Sequence, residues 1–345
     1  MSKLSQFFYK LNSRFQSKRQ RNAQGRSVQQ ANQGKLIAQR FTDAVRLGSP
    51  DIYRHAAPVD CSLLKFPGRV TTGRSEKLPS SLCTHHQLDS AAFRYWTINI
   101  GERWRLHRKL WEYCFILQAL YERDMLQEGK RGLGFAVGEE PLPSLMAKFG
   151  CGILATDLDI RDDRATVWAE TAQLASTLEG LNSRAICPHD VFKKRVNFRP
   201  IDMNKIPNDV TDYDFTWSSC SFEHCGSIGL GKRFLRKQMK CLKPGGIAVH
   251  TTEFNLSSTE ETIDSGTTVL FRRQDIEAMI RDLQADGHTV ETLQLDLGAS
   301  KEDAIIDSYP YSDNMHLKLE LFDRYVSTSV ALIIQKSDDP TSGNK

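Results

Sequence analysis

Residues 131–138 read Arg131-Gly132-Leu133-Gly134-Phe135-Ala136-Val137-Gly138, and nineteen residues past Gly138 the run Ile153-Leu154-Ala155-Thr156 ends in Asp157. A short apolar strand that breaks into glycines ahead of a helix over 141–149 forms a strand-to-helix turn. Glycine there lets the backbone pass close to a ligand, and the helix N-terminus behind it favours a negatively charged group. An acid closing the next strand is placed to hydrogen-bond ribose hydroxyls in a nucleotide-type site. A helix-capping Asp after a buried strand is the plainer reading of Asp157.

Outward from this turn, strands and helices alternate. Strands are predicted at 131–137, 152–156, 197–201, 214–218, 247–252, 289–295 and 326–335, and helices at 164–178, 234–242 and 274–284. That alternation predicts a doubly wound, Rossmann-like α/β domain, with a mostly parallel seven-stranded sheet covered on both faces. Upstream, apolar residues at helical spacing predict one long helix over 102–126. Residues 36–97, with Pro50, Pro58, Pro67 and Pro79, read as a short helix (36–47) and loops in a cap. The expected organisation is an arm and linker (1–34), a cap (35–100), the main domain (101–336) and a disordered tail (337–345).

The chain has 345 residues, 40% hydrophobic and 26% charged, enough for a sizeable core. No apolar run reaches the roughly 20 residues of a membrane-spanning helix, and no low-complexity tract suggests a fibre or a disordered chain. The 8 cysteines are scattered without a Cys-x-x-Cys pair, so they read as reduced thiols in a cytoplasmic protein, with no structural metal. Nine of the 46 basic residues fall within 1–40, where there is no acid, leaving 37 against 42 acidic residues in the remainder. Leu4, Phe7, Phe8, Leu11 and Phe15, interleaved with Lys3, Lys10 and Arg14, form an amphipathic pattern. Residues 1–21 are therefore expected to attach reversibly to an anionic membrane surface, at the inner face. Docking on the enzyme's own body, a dimer contact and a targeting segment are the competing readings.

A second constellation selects the cofactor. Pro200-Ile201-Asp202-Met203 closes a third strand and Tyr213-Asp214-Phe215-Thr216-Trp217-Ser218-Ser219 forms a fourth. Phe222-Glu223-His224, a helix and Leu242-Lys243-Pro244-Gly245-Gly246 follow. In this order, and over about Gly132 to Lys336, the sequence resembles the class I S-adenosylmethionine-dependent methyltransferases. The resemblance implies S-adenosyl-L-methionine as cofactor. It assigns Gly134, Ala136 and Gly138 to the methionine part, Asp157 to the ribose, Asp202 to the adenine amino group and Met203 to its ring. Trp217 and Ser218 would border the methionine moiety. Where the family often carries an acid, two positions before its first glycine, this chain has Gly132, and Ala136 replaces the middle glycine. Glu139, Glu140 and Glu112 are the candidate substitutes.

His224 follows the fourth strand, where open α/β sheets bind ligands, and an imidazole of ordinary pKa about 6.5 suits a general base. Glu223 would orient it. Glu253 and Asn255, past the fifth strand, and His316, in the aromatic insertion Tyr309–His316, are further acceptor-side candidates. So are His107, Arg108, Trp111 and Glu112, whereas His250 reads as core. Metal-holding relatives use Glu-x-x-Glu-His, and Cys220-Ser221-Phe222-Glu223-His224 lacks the first acid, so no metal is expected. The Asp/Asn-Pro-Pro-aromatic motif of base-amino methylation is absent, which argues against a nucleic-acid partner. Arg-Lys-Leu-Trp-Glu, Gly-Leu-Gly-Phe and Thr-Glu-Phe-Asn resemble methyltransferases of bacterial polysaccharide biosynthesis, implying a glycan-type hydroxyl as acceptor. A small aromatic or lipid-like hydroxyl is the second reading, and a non-catalytic cofactor-binding scaffold the third.

Overall fold

The computed structural model describes residues 77–165, 174–175 and 177–338. The arm and linker (1–34), the helix expected at 36–47, most of the helix expected at 164–178 and the end of the tail lie outside the described residues.

The central sheet contains five parallel strands: β3 (Arg131–Gly134), β4 (Gly152–Asp157), β5 (Val196–Pro200), β6 (Tyr213–Ser219) and β7 (Leu242–Asn255). Beyond β7, β13 (Tyr325–Gln335) runs antiparallel and β12 (Lys318–Leu321) returns beside it. With β10 (Ile306–Asp307) at the edge, the order is β10-β12-β13-β7-β6-β3-β4-β5. From β3 the chain first winds outward through β4 and β5, then crosses back to lay β6 on the other side. The carboxyl ends of β3 and β6 therefore flank the switch point at which such sheets bind ligands. Both faces are covered, so β13 is a nearly continuous buried run with Val330-Ala331-Leu332-Ile333-Ile334 at its centre.

Packing explains why β3 needs its glycines. A Cβ on Gly132 would lie 2.4 Å from Phe215, and one on Gly134 would lie 2.4 Å from the Trp217 ring and 2.5 Å from Val137 Cγ1. Gly134→Ala is expected to cost about 1–3 kcal/mol through overpacking. A thermal midpoint equal to that of the unaltered chain would contradict this.

Four elements depart from the sequence expectation. Residues 80–99, expected within an irregular cap, supply β1 (Ser80–Leu82), which pairs with β13, and the helices α1 (His85–Asp89) and α2 (Ala91–Asn99). The helix expected over 102–126 is shorter. Leu106–His107 is a strand, β2, pairing with β11 (Met315–His316), and α3 (Arg108–Tyr121) begins only after His107, whose side chain accepts from the Lys109 N–H. After α4 (Leu142–Lys148) and α5 (His189–Arg195), α6 (Ile228–Gln238) starts six residues before the expected helix. The Ser227 hydroxyl caps it, and Gly231 inside it lets Phe271 approach closely. The strand expected at 289–295 is two short pieces after α7 (Arg273–Ala285): β8 (Thr289–Val290) on β13 and β9 (Leu293–Gln294) on β1. Among the described residues no helix is long and apolar enough to cross a membrane.

Candidate active site

The carboxyl ends of β3, β4 and β6 converge. Ala136 and Gly138 both take left-handed backbone, φ 48° and 53°, which turns the Gly138 N–H onto Asp157 Oδ2 at 2.9 Å. Asp157 also accepts from Leu158 and Ala175 N–H groups, at 2.8 and 3.1 Å. Burial pushes its carboxyl up to about 6 against these donors. Asp202 accepts from Arg164 and from the Asn204 N–H, both at 2.8 Å. Met203 is buried beside the core of Ile201, Val210 and Phe222. Trp217 lies fully buried under Gly134, and its Nε1 donates to Glu140 Oε1 at 2.6 Å. Ser218 differs from its expected role as a border of the cofactor. Its hydroxyl turns to the opposite sheet face and meets His250 Nδ1 at 2.8 Å, because successive strand residues alternate sides. His250 is a core residue, as read from the sequence.

Beside this cradle, α3 lies across β6, β7 and β13 and drives its first turn into the sheet's end. Arg108 pairs with Glu253, and its Nη1 lies 3.7 Å from Glu112 and 3.3 Å from the Ser329 hydroxyl. Lys109 Nζ is 2.8 Å from Glu112 and donates to the Ser219 carbonyl at 3.2 Å. Ser219 and Ser329 donate to Glu112, and Ser327 to Glu253. Two cations in the first turn of a helix oppose its dipole, so these carboxylates hold them there. Burial works against every one of these charges. Mutual attraction outweighs it, lowering the Glu112 carboxyl and raising both cations.

Glu223 is the third carboxyl, buried and accepting from the Thr252 hydroxyl at 2.8 Å. Burial, reinforced by Glu253, pushes it up to about 8, so it is mostly protonated at neutral pH. His224, adjacent to it, places Nε2 3.7 Å from Glu223 and Nδ1 2.8 Å from the Thr267 carbonyl. Burial takes this imidazole down to about 3, making it a weak base. Cys220, at φ 48°, Glu223 and Glu253 bring a ligand atom each within 4.8 Å of one another. The Arg108 guanidinium, on Glu253 and 3.5 Å from Cys220 Sγ, already supplies a cation there.

The strand order is that of the class I methyltransferase fold. No protein-family model and no curated protein matches the sequence. Similar solved structures include a methyltransferase from Methanosarcina mazei (10% identity, TM-score 0.40, covering 64% of this chain and 98% of that one). The [4+2]-cyclase SpnF is 15% identical, with TM-score 0.43 and coverage of 65% and 82%. The N-terminal domain of EvdMO1, solved with SAH and D-fucose, is 12% identical, with TM-score 0.39 and coverage of 64% and 82%. A fold alone does not fix a reaction.

The expected residues thus divide into two neighbouring groups. Gly134, Ala136, Gly138, Asp157 and Trp217 meet at the switch point, with Asp202 and Met203 just past β5. Glu223, His224 and Glu253 meet Arg108 and Glu112 at the ends of β6 and β7. Trp111 turns away and donates to Gln87 at 2.8 Å. Sequence reading missed Lys109, Ser327 and Ser329. Two serines spaced by two in an otherwise apolar strand were the available signal.

Proposed function

We propose that this chain is an S-adenosylmethionine-dependent methyltransferase that O-methylates a polar, sugar-type hydroxyl. The observation that carries the reading is the meeting, at one switch point, of a left-handed glycine turn with strand-end acids from β4 and β5. The turn fits the cofactor, since Ala136 and Gly138 take left-handed backbone and the Gly138 N–H is tied to Asp157 at the turn's mouth. Asp157 would hold the ribose, Asp202 the adenine amino group against Met203, and the 134–138 turn the methionine part. Glu140, a buried carboxyl that accepts from Trp217 Nε1 beside that turn, would be the acid on the methionine side that Gly132 does not supply, and burial keeps it largely protonated until a cation binds. When bound, the cofactor supplies an electrophilic methyl group on a sulfonium.

The acceptor side supports a polar substrate. Arg108, Lys109, Glu112, Glu253, Ser219 and Ser329 would offer an acceptor polar walls, whereas a flat aromatic acceptor calls for apolar ones. Displacement then needs the hydroxyl positioned in line and its proton removed.

Calorimetry should show S-adenosylhomocysteine binding in the micromolar range, roughly −8 kcal/mol. Asp157→Ala should weaken it by about 1–3 kcal/mol. Equal affinity in the two proteins would remove Asp157 from the site, and absence of binding would overturn the reading. Transfer of labelled methyl to a fractionated lysate, with mass spectrometry of the product, separates glycan from phenolic acceptors.

A further inference from the structure

The segment 306–316 returns from the sheet's edge to the start of α3. Pairing of β11 with β2 sets His316 against His107, with ring centroids 4.7 Å apart, and Tyr311 closes edge-on at 5.3 Å. His316 is 2% exposed. Its Nδ1 lies 2.5 Å from Asp307 Oδ2, which also accepts the Ser312 N–H at 2.9 Å. A carboxylate only accepts, so the ring proton sits on Nδ1 and the lone pair on Nε2. Nε2 is buried and has no hydrogen-bond partner among the described residues. An unmade buried bond of this kind is unfavourable, and an incoming hydroxyl would relieve it.

We propose that His316 is the base that deprotonates the acceptor hydroxyl and that Asp307 is its positioning residue. The assignment rests on the methyltransferase reading. As the acceptor oxygen bonds to the methyl carbon, the carbon–sulfur bond breaks and its electron pair stays on sulfur. The hydroxyl proton passes to Nε2 and leaves to solvent after the product departs. The charged and titratable groups facing His316 are Arg108 and Glu253 from the neighbouring cluster, His107 from β2, Asp307, and Tyr311 from its own segment. Burial lowers the basicity of this imidazole and the Asp307 bond restores part of it. His224 turns its Nδ1 to the neutral Thr267 carbonyl and the Thr268 hydroxyl.

The test uses the full chain. Calorimetry with S-adenosylhomocysteine reads the cofactor site, and labelled transfer to a mixed panel of hexose methyl glycosides reads turnover. Nitrogen-15 histidine NMR reads the tautomer, with or without an acceptor. His316→Gln should keep the S-adenosylhomocysteine Kd within about threefold while turnover falls by about 10²–10⁴-fold. Asp307→Asn should lower turnover and move the acid limb of its pH profile to lower pH, since the carboxylate that supports the imidazolium is gone. Turnover of His316→Gln within threefold of the unaltered chain overturns the assignment. So does an Nε2–H tautomer of His316 in the unaltered chain at pH 7. Failure of the unaltered chain to bind S-adenosylhomocysteine instead overturns the methyltransferase reading itself.

Discussion

Arg108→Met is expected to destabilise the chain by about 3–5 kcal/mol, because it leaves Glu253 buried without its cation. The guanidinium is 1% exposed, and Glu253 keeps only hydroxyl company from Ser327 once it is gone. Glu112 retains Lys109, so the loss is concentrated on one carboxylate. Arg108→Met combined with Glu253→Gln should recover more than half of the loss, since no unpaired charge then remains. Urea denaturation at pH 7 measures both. A single-variant cost below about 1 kcal/mol would mean that the cluster is wet or rearranges, and the polar-acceptor argument would lose its basis.

The cofactor-free chain should also lose stability as pH rises from 6.5 to 8. Glu140 and Glu223 are each pushed up to about 8, burial being the main cause. A folded-state pKa above the unfolded value means the folded chain holds protons that the unfolded chain has released. Stability contributed by these groups is therefore full below about 4.5 and declines towards 8. His224 and His250, both taken down to about 3 by burial, act oppositely: they favour folding increasingly as pH rises to about 6.5. Below 6.5 these and the other histidines lowered by burial, His107 and His316 among them, oppose the carboxyls, and above it the carboxyls dominate. The decline should be roughly 1 kcal/mol per pH unit per group, about 3 kcal/mol in all. Glu140→Gln with Glu223→Gln should flatten it. A urea midpoint that rises between pH 6.5 and 8 would contradict the burial of both carboxyls.

The legible part of this molecule was local. The 131–138 turn, the acid closing β4 and the short apolar strands alternating with helices all sit within short windows where residue type and backbone demand agree. What escaped depended on residues far apart. Ser80–Leu82 looks like loop because its pairing partner is Val330–Ala331. The start of α3 was misplaced because Leu106–His107 is extended only by virtue of Met315–His316. The start of α6 was hidden by Gly229 and Gly231, which weaken helix propensity, although Gly231 makes room for Phe271. Lys109 reads from sequence as a solvated surface charge. Glu112 lies one helical turn on, but only the fold brings the Ser219 carbonyl to Lys109 and largely buries the pair. Asp307 carried no motif and acquires meaning only beside His316.

The placement of β13 has a consequence for how the protein is made. β13 closes β7 along Ser327–Gln335, and its other edge is shared end to end by β12, β1 and β8. Synthesis reaches Asn255, the end of β7, 80 residues before Gln335 completes the strand that covers it. At 5–20 residues per second, β7 therefore waits roughly 4–16 s with a long, apolar, unpaired edge, and β1 waits far longer for the same partner. During that interval the nascent chain offers two templates for pairing with other nascent chains. Yield in the cell is then governed by the speed at which the last hundred codons are read and by the holdases present, as much as by the stability of the finished sheet.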